Sequence, residues 1–201
     1  LVADVFAKMA EGNNWLDLCA GPGGKAALLS SIARQRGVTF TANEFSPARA
    51  ELVKQVVHGS RVLVGDGRAI DSIGEKFDAI LIDAPCTGLG ALRRRPEVRW
   101  RRTLQDLRAL TQLQRELIDS AIDALNPGGV LGYATCSPHL AETSIQISDI
   151  TKHHQELTQQ DVSEYLPSNL KGAVRDGAMS LWTHKHGTDA MYLAVFQKTN
   201  S

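Results

Sequence analysis

Short apolar runs alternate with longer amphipathic stretches along the whole chain. Trp15–Cys19 is apolar apart from Asp17 and gives way to Gly21-Pro22-Gly23-Gly24, which predicts a strand, a tight turn and a helix through about Arg36. Val38–Ala42 predicts a second strand. Ser46 and Pro47 then form a helix start, a cap followed by proline at the first helical position. Leu52, Val53, Val56 and Val57 predict one apolar face on that helix. Arg61–Val64 predicts a third strand. Phe77–Ile82 predicts a fourth, nearly all apolar, as in a strand covered on both faces. A long helix is expected from about Thr103 to Leu125, with Leu107, Leu110, Leu113, Leu117, Ile118, Ala121 and Leu125 on one stripe. Asn126-Pro127-Gly128-Gly129 ends it and leads into strand Val130–Ala134. A further helix is expected over about Ala141–Leu157. Gly177–Lys198 reads as a hairpin with its turn near Gly187 and a last strand at Met191–Gln197.

Strands alternating with helices predict an α/β fold with a mostly parallel sheet and helices on both faces. With 201 residues, 43% hydrophobic and 22% charged, the chain is long and apolar enough for one core without disulfide or metal staples, and wholesale disorder is excluded. A single domain over 1–201 is expected. The three cysteines, Cys19, Cys86 and Cys136, form no Cys-x-x-Cys pair, which argues against a disulfide framework or a zinc site. His184 and His186 have metal-like spacing but no acidic or thiol partner nearby, so no metal is expected. No apolar run reaches membrane length and no signal peptide is visible, so a cytoplasmic location is expected and no membrane partner. The chain opens on Leu1 rather than Met, which suggests an upstream part.

Net charge is zero, which excludes a uniformly basic coat for nucleic acid. The average conceals a patch: residues 93–102 carry six arginines (Arg93, Arg94, Arg95, Arg99, Arg101, Arg102) against one acid, Glu97.

In open parallel sheets, ligands bind at the carboxyl ends of strands, so the polar residues just after each strand matter most. After the first strand, Cys19, Ala20, Gly21, Pro22, Gly23, Gly24 and Lys25 let backbone approach a ligand ahead of a helix start. This loop is neither a phosphate-binding P-loop nor a clean Gly-x-Gly-x-x-Gly, because Ala26 takes the last glycine position. After the second strand stands Glu44, an acid able to accept from a ribose diol; a surface acid is the alternative. After the third come Asp66 and Gly67, where Asp66 suits an adenine amino group or a simple Asx turn. Asp83-Ala84-Pro85-Cys86-Thr87-Gly88 follows the fourth, and Ala134-Thr135-Cys136-Ser137-Pro138 the fifth. Two cysteines therefore stand beside prolines at two strand mouths, where the cleft is expected.

These blocks resemble the S-adenosylmethionine-dependent RNA cytosine-5 methyltransferases, the group that includes the bacterial ribosomal RNA enzymes Fmu or Sun. The resemblance rests on Leu16–Lys25, Asp83–Gly88, Arg93-Arg94-Arg95-Pro96-Glu97 with Trp100, and Ala134-Thr135-Cys136-Ser137, all in the family's order. The Asp-Ala-Pro-Cys and Thr-Cys-Ser pair is its most specific part. Two positions depart from the family: Glu44 stands where Asp is usual, and Glu142-Thr143 where Glu-Asn is common.

The resemblance implies a class I, Rossmann-like methyltransferase sheet of seven strands, one of them antiparallel. It implies that Cys19–Lys25 wraps the methionine end of S-adenosylmethionine, that Glu44 holds the ribose and Asp66 the adenine side, and that Asp83 lies near the methyl sulfonium. Arg49 and Gly67 complete the implied cofactor set. Cys136 is the implied nucleophile toward carbon 6 of cytosine, Cys86 the implied helper in release, and Asp83 and Lys25 their implied partners. Carbon 5 of cytosine is a poor nucleophile, and thiolate addition at carbon 6 makes the ring enamine-like. A free thiol with a pKa of roughly 8.5 is mostly protonated near pH 7, so the site has to lower it or take its proton. Arg93, Arg94 and Arg95 suit phosphate, and Trp100 suits base stacking, so the expected partner is RNA, ribosomal RNA by family. An RNA-binding region upstream of the catalytic domain is also implied. The alternatives are a non-catalytic cofactor- or RNA-binding module, a nicotinamide dehydrogenase, which leaves the cysteines unexplained, and a DNA cytosine-5 methyltransferase, which explains Cys86 but not the Thr-Cys-Ser block.

Overall fold

In the computed structural model, which describes residues 1–200, helix α1 (Val2–Met9) leads into strand β1 (Asn14–Asp17), helix α2 (Gly24–Arg36) and strand β2 (Thr39–Glu44). Helix α3 (Pro47–Val56), strand β3 (Arg61–Val64) and strand β4 (Phe77–Asp83) follow, with a 3-10 turn at Gly67–Ile73 between the last two. The arginine-rich segment holds the short α4 (Val98–Arg101) and runs into the long α5 (Leu104–Ala124), then strand β5 (Leu125–Thr135). The rest comprises α6 (Ser144–His153), β6 (Leu157–Gln160), β7 (Val174–Arg175), β8 (Ala178–Leu181), α7 (Thr183–His186) and β9 (Met191–Lys198).

The strands form one sheet in the order β3-β2-β1-β4-β5-β9-β8-β7, with β6 also on β9. The first five are mutually parallel. Strand β9 runs antiparallel to β5, β6 and β8 alike, so β9 is the expected reversed strand, and the two-residue β7, antiparallel to β8, is a second beyond the one expected. The sheet has nine strands rather than seven because the far edge of β9 is shared: β8 pairs with Met191–Leu193 and β6 with Val195–Lys198, and the two-residue β7 adds to β8. Chain order reverses between β1 and β4, which makes their carboxyl ends the switch point.

Side-chain alternation fills a core on each face. In β4, Ala79 and Leu81 join Phe6, Trp15, Leu29 and Val53 under α1, α2 and α3. Their neighbours Ile80 and Ile82 join Leu16, Leu18, Leu117, Ile118 and Tyr133 under α5 and α6. Thr103 and Asp106 close a capping box that starts α5 where expected. Two expectations need correction. On α3 the buried positions are Ala50 and Val53, with Val57 just beyond the helix, whereas Leu52 and Val56 are exposed; the helix covers a sheet edge and buries a narrower stripe. The helix expected to reach Leu157 ends at His153, because Leu157–Gln160 joins β9 as a strand. Among the described residues, no helix is long and apolar enough to cross a membrane.

Candidate active site

The mouths of β1 to β5 open on one cavity of about 590 Å³. Cys19, Gly21, Pro22, Glu44, Arg49, Asp66, Gly67, Asp83, Cys86, Cys136 and Arg95 all line it, so residues from five separate strand ends converge as expected. Gly24, Lys25, Arg93 and Arg94 line an adjoining open groove instead. Ala20 and Gly23 are buried behind the loop.

The glycine loop is held by the acid after β2. Glu44 is buried; its Oε2 accepts from the Gly21 N–H at 2.9 Å and its Oε1 from the Ser46 N–H at 2.9 Å. Arg49 lies 3.3 Å from Oε2 and also donates to the Gly21 carbonyl. Glu44 thus braces the loop, a task its sequence position does not announce. Gly23 has φ +116°, and a Cβ there would sit 2.7 Å from Val56, so a side chain would be strained twice over.

Asp66 caps the 3-10 turn after β3, accepting from the Arg68 N–H at 3.0 Å, and its carboxylate pairs with the Arg68 guanidinium at 2.7 Å. Those bonds hold its pKa below the usual carboxylate value. The Asx-turn alternative is therefore realised, and it leaves Asp66 on the cavity wall.

At the mouth of β4, Lys25 Nζ donates to Asp83 Oδ2 at 2.7 Å, with both side chains about a quarter exposed. Beneath them lies Asp17, which has no solvent exposure and no hydrogen-bond partner on either oxygen. Burial pushes its pKa up to about 8; the Asp83 charge adds to this, while Lys25 and the nearby Cys19 N–H, which falls short of a full hydrogen bond to it, oppose it without reversing it.

The two cysteines meet: Cys86 Sγ and Cys136 Sγ are 3.3 Å apart, and both thiols are free. Their environments differ. The hydrogen bond with Cys136, burial, the Cys136 charge and the Glu142 charge push the Cys86 thiol well up. The bond from Cys86 draws Cys136 down, with Lys25 helping against partial burial and Asp83. Cys19 is buried among carboxylates and is pushed well up, chiefly by desolvation.

The arginine patch divides. Arg94 grips Asp189 through its Nε and Nη2, and Arg102 Nε donates to the Thr87 carbonyl at 3.1 Å, so those two fasten the segment to the fold. Arg93, Arg95, Arg99 and Arg101 are exposed, and Arg99 lies over Trp100, itself 79% exposed, at 4.6 Å from the ring centre.

Sequence reasoning missed a buried polar cluster behind the cysteines. Glu142 Oε1 accepts from the Thr87 N–H at 2.8 Å and from Gln114 Nε2 at 3.1 Å, and Oε2 accepts from the Thr87 hydroxyl at 2.5 Å. Thr87 also meets the Ser137 hydroxyl at 3.2 Å, and Tyr133 reaches both Gln114 Oε1 and the Glu142 carbonyl. Gly90 was missed too: its N–H donates to the Cys136 carbonyl at 2.8 Å, and a Cβ there would lie 2.6 Å from that oxygen. The only signal for Glu142 was its place after Thr-Cys-Ser. Nothing in the spacing announces that it is buried.

The family described as 16S rRNA methyltransferase RsmB/F matches residues 5–197. The chain belongs to that family. A putative methyltransferase of Mycobacterium tuberculosis (strain H37Rv) is 50% identical over 186 residues, which is 92% of this chain and 40% of that protein. The ribosomal RNA small subunit methyltransferase B of Pectobacterium carotovorum is 36% identical over 94% of this chain and 43% of its own. This RsmB/F-family chain thus spans less than half the length of these curated relatives. Among solved structures, NSun6 from Pyrococcus horikoshii with SFG superposes with a TM-score of 0.84 at 27% identity, covering 100% of this chain and 52% of that one.

The cofactor is S-adenosylmethionine. The residues present fit it: Phe45, Leu113 and Leu117 give the cavity apolar walls, Glu44 and Asp66 give it carboxylates beside them, and the braced glycine loop gives close backbone approach.

Proposed function

We propose that this chain is the catalytic domain of an enzyme that methylates carbon 5 of a cytosine in RNA, ribosomal RNA being the expected class, through a covalent bond from Cys136 to carbon 6. The observation that carries this reading is the contact of two free thiols, 3.3 Å apart and oppositely perturbed, beside the Lys25–Asp83 pair on the cofactor cavity. Residues 1–201 act as one catalytic unit, and choice among RNAs is assigned to the remainder of a longer protein such as its relatives.

S-adenosylmethionine, when bound, supplies an electrophilic methyl group on a sulfonium sulfur. The loop Cys19–Lys25, with Glu44, Arg49, Asp66, Gly67 and Asp83, holds it. Cys136 is the group to attack carbon 6, because its thiol is the one drawn down. As the Sγ–C6 bond forms, charge moves toward ring N3. Asp83, hydrogen-bonded to Lys25, relays to N3 the proton that leaves the Cys136 thiol. Once carbon 5 carries the methyl group, its proton passes to water, the C5–C6 double bond re-forms as the Sγ–C6 bond breaks, Cys136 leaves as thiolate and the N3 proton returns to Asp83. Cys86 is placed to assist that release, its sulfur already beside the leaving one. Arg93, Arg94, Arg95 and Trp100 form the RNA face beside the cavity; Arg94 serves it by holding the segment on Asp189.

A covalent trap tests the reading. RNA attached through denaturing electrophoresis is expected for Cys86→Ala and not for Cys136→Ala or the double variant. An adduct in Cys136→Ala alone would reverse the roles. No adduct in any variant that still binds S-adenosylhomocysteine would sink covalent catalysis.

A further inference from the structure

The cysteine pair is held from behind by a carboxylate that touches neither thiol. Glu142 has no solvent exposure and sits in a short 3-10 turn, Leu140–Glu142, beyond the Cys136 loop. Both carboxylate oxygens point to the opposite loop, where Thr87, the residue after Cys86, donates to one with its N–H and to the other with its hydroxyl. The same hydroxyl meets that of Ser137, the residue after Cys136. Each residue following a catalytic cysteine is thereby drawn to the other loop.

Behind this tie every arm of Gln114 is satisfied. Gln114 of α5 donates to Glu142 Oε1 and to the Pro85 carbonyl at 2.9 Å, and it accepts from Tyr133 and Gln146. The Cys86 side of the tie, residues 85 to 87, thus has three anchor points: the Pro85 carbonyl, the Thr87 N–H and the Thr87 hydroxyl. A buried carboxylate this well supplied with donors is a rigid part, whereas a lone one would distort its surroundings.

We infer that Glu142 is a positioning residue that clamps the Cys86 loop to the Cys136 loop and fixes which of the two thiols attacks. This rests on the proposed reading of the pair as catalytic. The electrostatics agree with the geometry. The groups acting on Cys86 are Cys136 and Glu142, with Tyr133 of β5 also facing it; those acting on Cys136 are Cys86, Asp83 and Lys25, and Arg94 of the arginine segment lies within its field. Glu142 therefore adds to the Cys136 bond and burial that keep Cys86 the protonated partner, while Lys25 bears on Cys136. Removing the clamp both frees the loop and removes that bias.

The test is the pH profile of alkylation by iodoacetamide, read separately at Cys86 and Cys136 by peptide mass spectrometry on the full chain. In Glu142→Gln, the ratio of Cys136 to Cys86 reactivity at pH 8 is expected to fall about tenfold, through a gain at Cys86, as one pKa step would give. Should Glu142→Gln fail to fold, Thr87→Val cuts the hydroxyl arm and leaves the charge, and a fall of about threefold is expected. Thr87→Ser, which keeps the hydroxyl, should hold the native ratio. An unchanged ratio in folded Glu142→Gln, or in Thr87→Val where the first does not fold, overturns the inference. The covalent trap, run on the native protein and on Cys86→Ala in parallel, separates the two readings. A collapsed alkylation ratio without any adduct would remove the proposed reaction and leave the clamp, and an adduct with an unmoved ratio would do the reverse.

Discussion

Among the described residues, two side-chain carboxylates have no solvent exposure, and they are opposites. Asp17, at the mouth of β1, has no hydrogen-bond partner on either oxygen. Glu142, behind the mouth of β5, has three donors on its carboxylate. Burial alone costs a charge several kcal/mol, so what decides the character of such a group is what surrounds it. The saturated acid is a strut. The starved one sits beneath the Lys25–Asp83 pair, where the proton it holds is part of the local charge balance. The β5 side of the cleft is thus built rigid, and the β1 side keeps a buried acid whose carboxyl oxygens have no partner.

The largest effect that would break this contrast is a stability slope. Asp17 has a folded pKa of about 8 against roughly 3.9 unfolded, so the native state holds the proton more tightly. Its contribution is intact below about pH 4 and is lost as pH rises through about 8, by at most about 6 kcal/mol. Asp17→Asn keeps the shape and removes the charge. It should abolish that fall, so that the variant is the more stable protein at pH 8.5 by urea unfolding. A native protein whose urea midpoint does not drop between pH 5 and 8.5 would mean that Asp17 has found partners and that the contrast is false.

A change on the other side should act with the opposite sign. Thr87→Val is nearly isosteric and strips the hydroxyl donor from Glu142, leaving a buried oxygen short of a partner. The expected cost is about 1–3 kcal/mol, seen as a lower urea midpoint at unchanged slope. A loss below about 0.5 kcal/mol would mean that the cluster relaxes around the gap and is no strut.

What the chain reveals in advance follows the same division. Trp15–Cys19, Phe77–Ile82 and the Ser46-Pro47 helix start were legible because apolar runs, glycines and caps are local signals. So were the strand-end acids and both cysteines, since a parallel sheet fixes where its strands open. Strand β6 was not: Leu157-Thr158-Gln159-Gln160 is polar, and it is a strand because β9 offers a free edge. Nor was the pairing of Arg94 with Asp189, which unites residues 95 positions apart. Gln114 lies just off the apolar stripe of α5 and is buried by its partners, a property no periodicity contains.

Asp66 lies between the extremes and gives the smallest effect. Its carboxylate is paired, but its partner Arg68 is nearly half exposed and is shared with Glu116 at 2.9 Å. An exposed pair of this kind contributes little, because solvent screens it and both side chains lose freedom. Arg68→Ala should therefore leave the urea midpoint almost unmoved. It should also shift the affinity for S-adenosylhomocysteine, measured by titration calorimetry, by less than about tenfold, since Asp66 still accepts from the backbone N–H of residue 68 and stays on the cavity wall. Asp66→Ala removes the acceptor itself and is expected to weaken that binding by at least about tenfold. If Arg68→Ala costs as much as Asp66→Ala, then Asp66 is effective only when Arg68 aims it, and the mouth of β3 is as rigidly built as the mouth of β5.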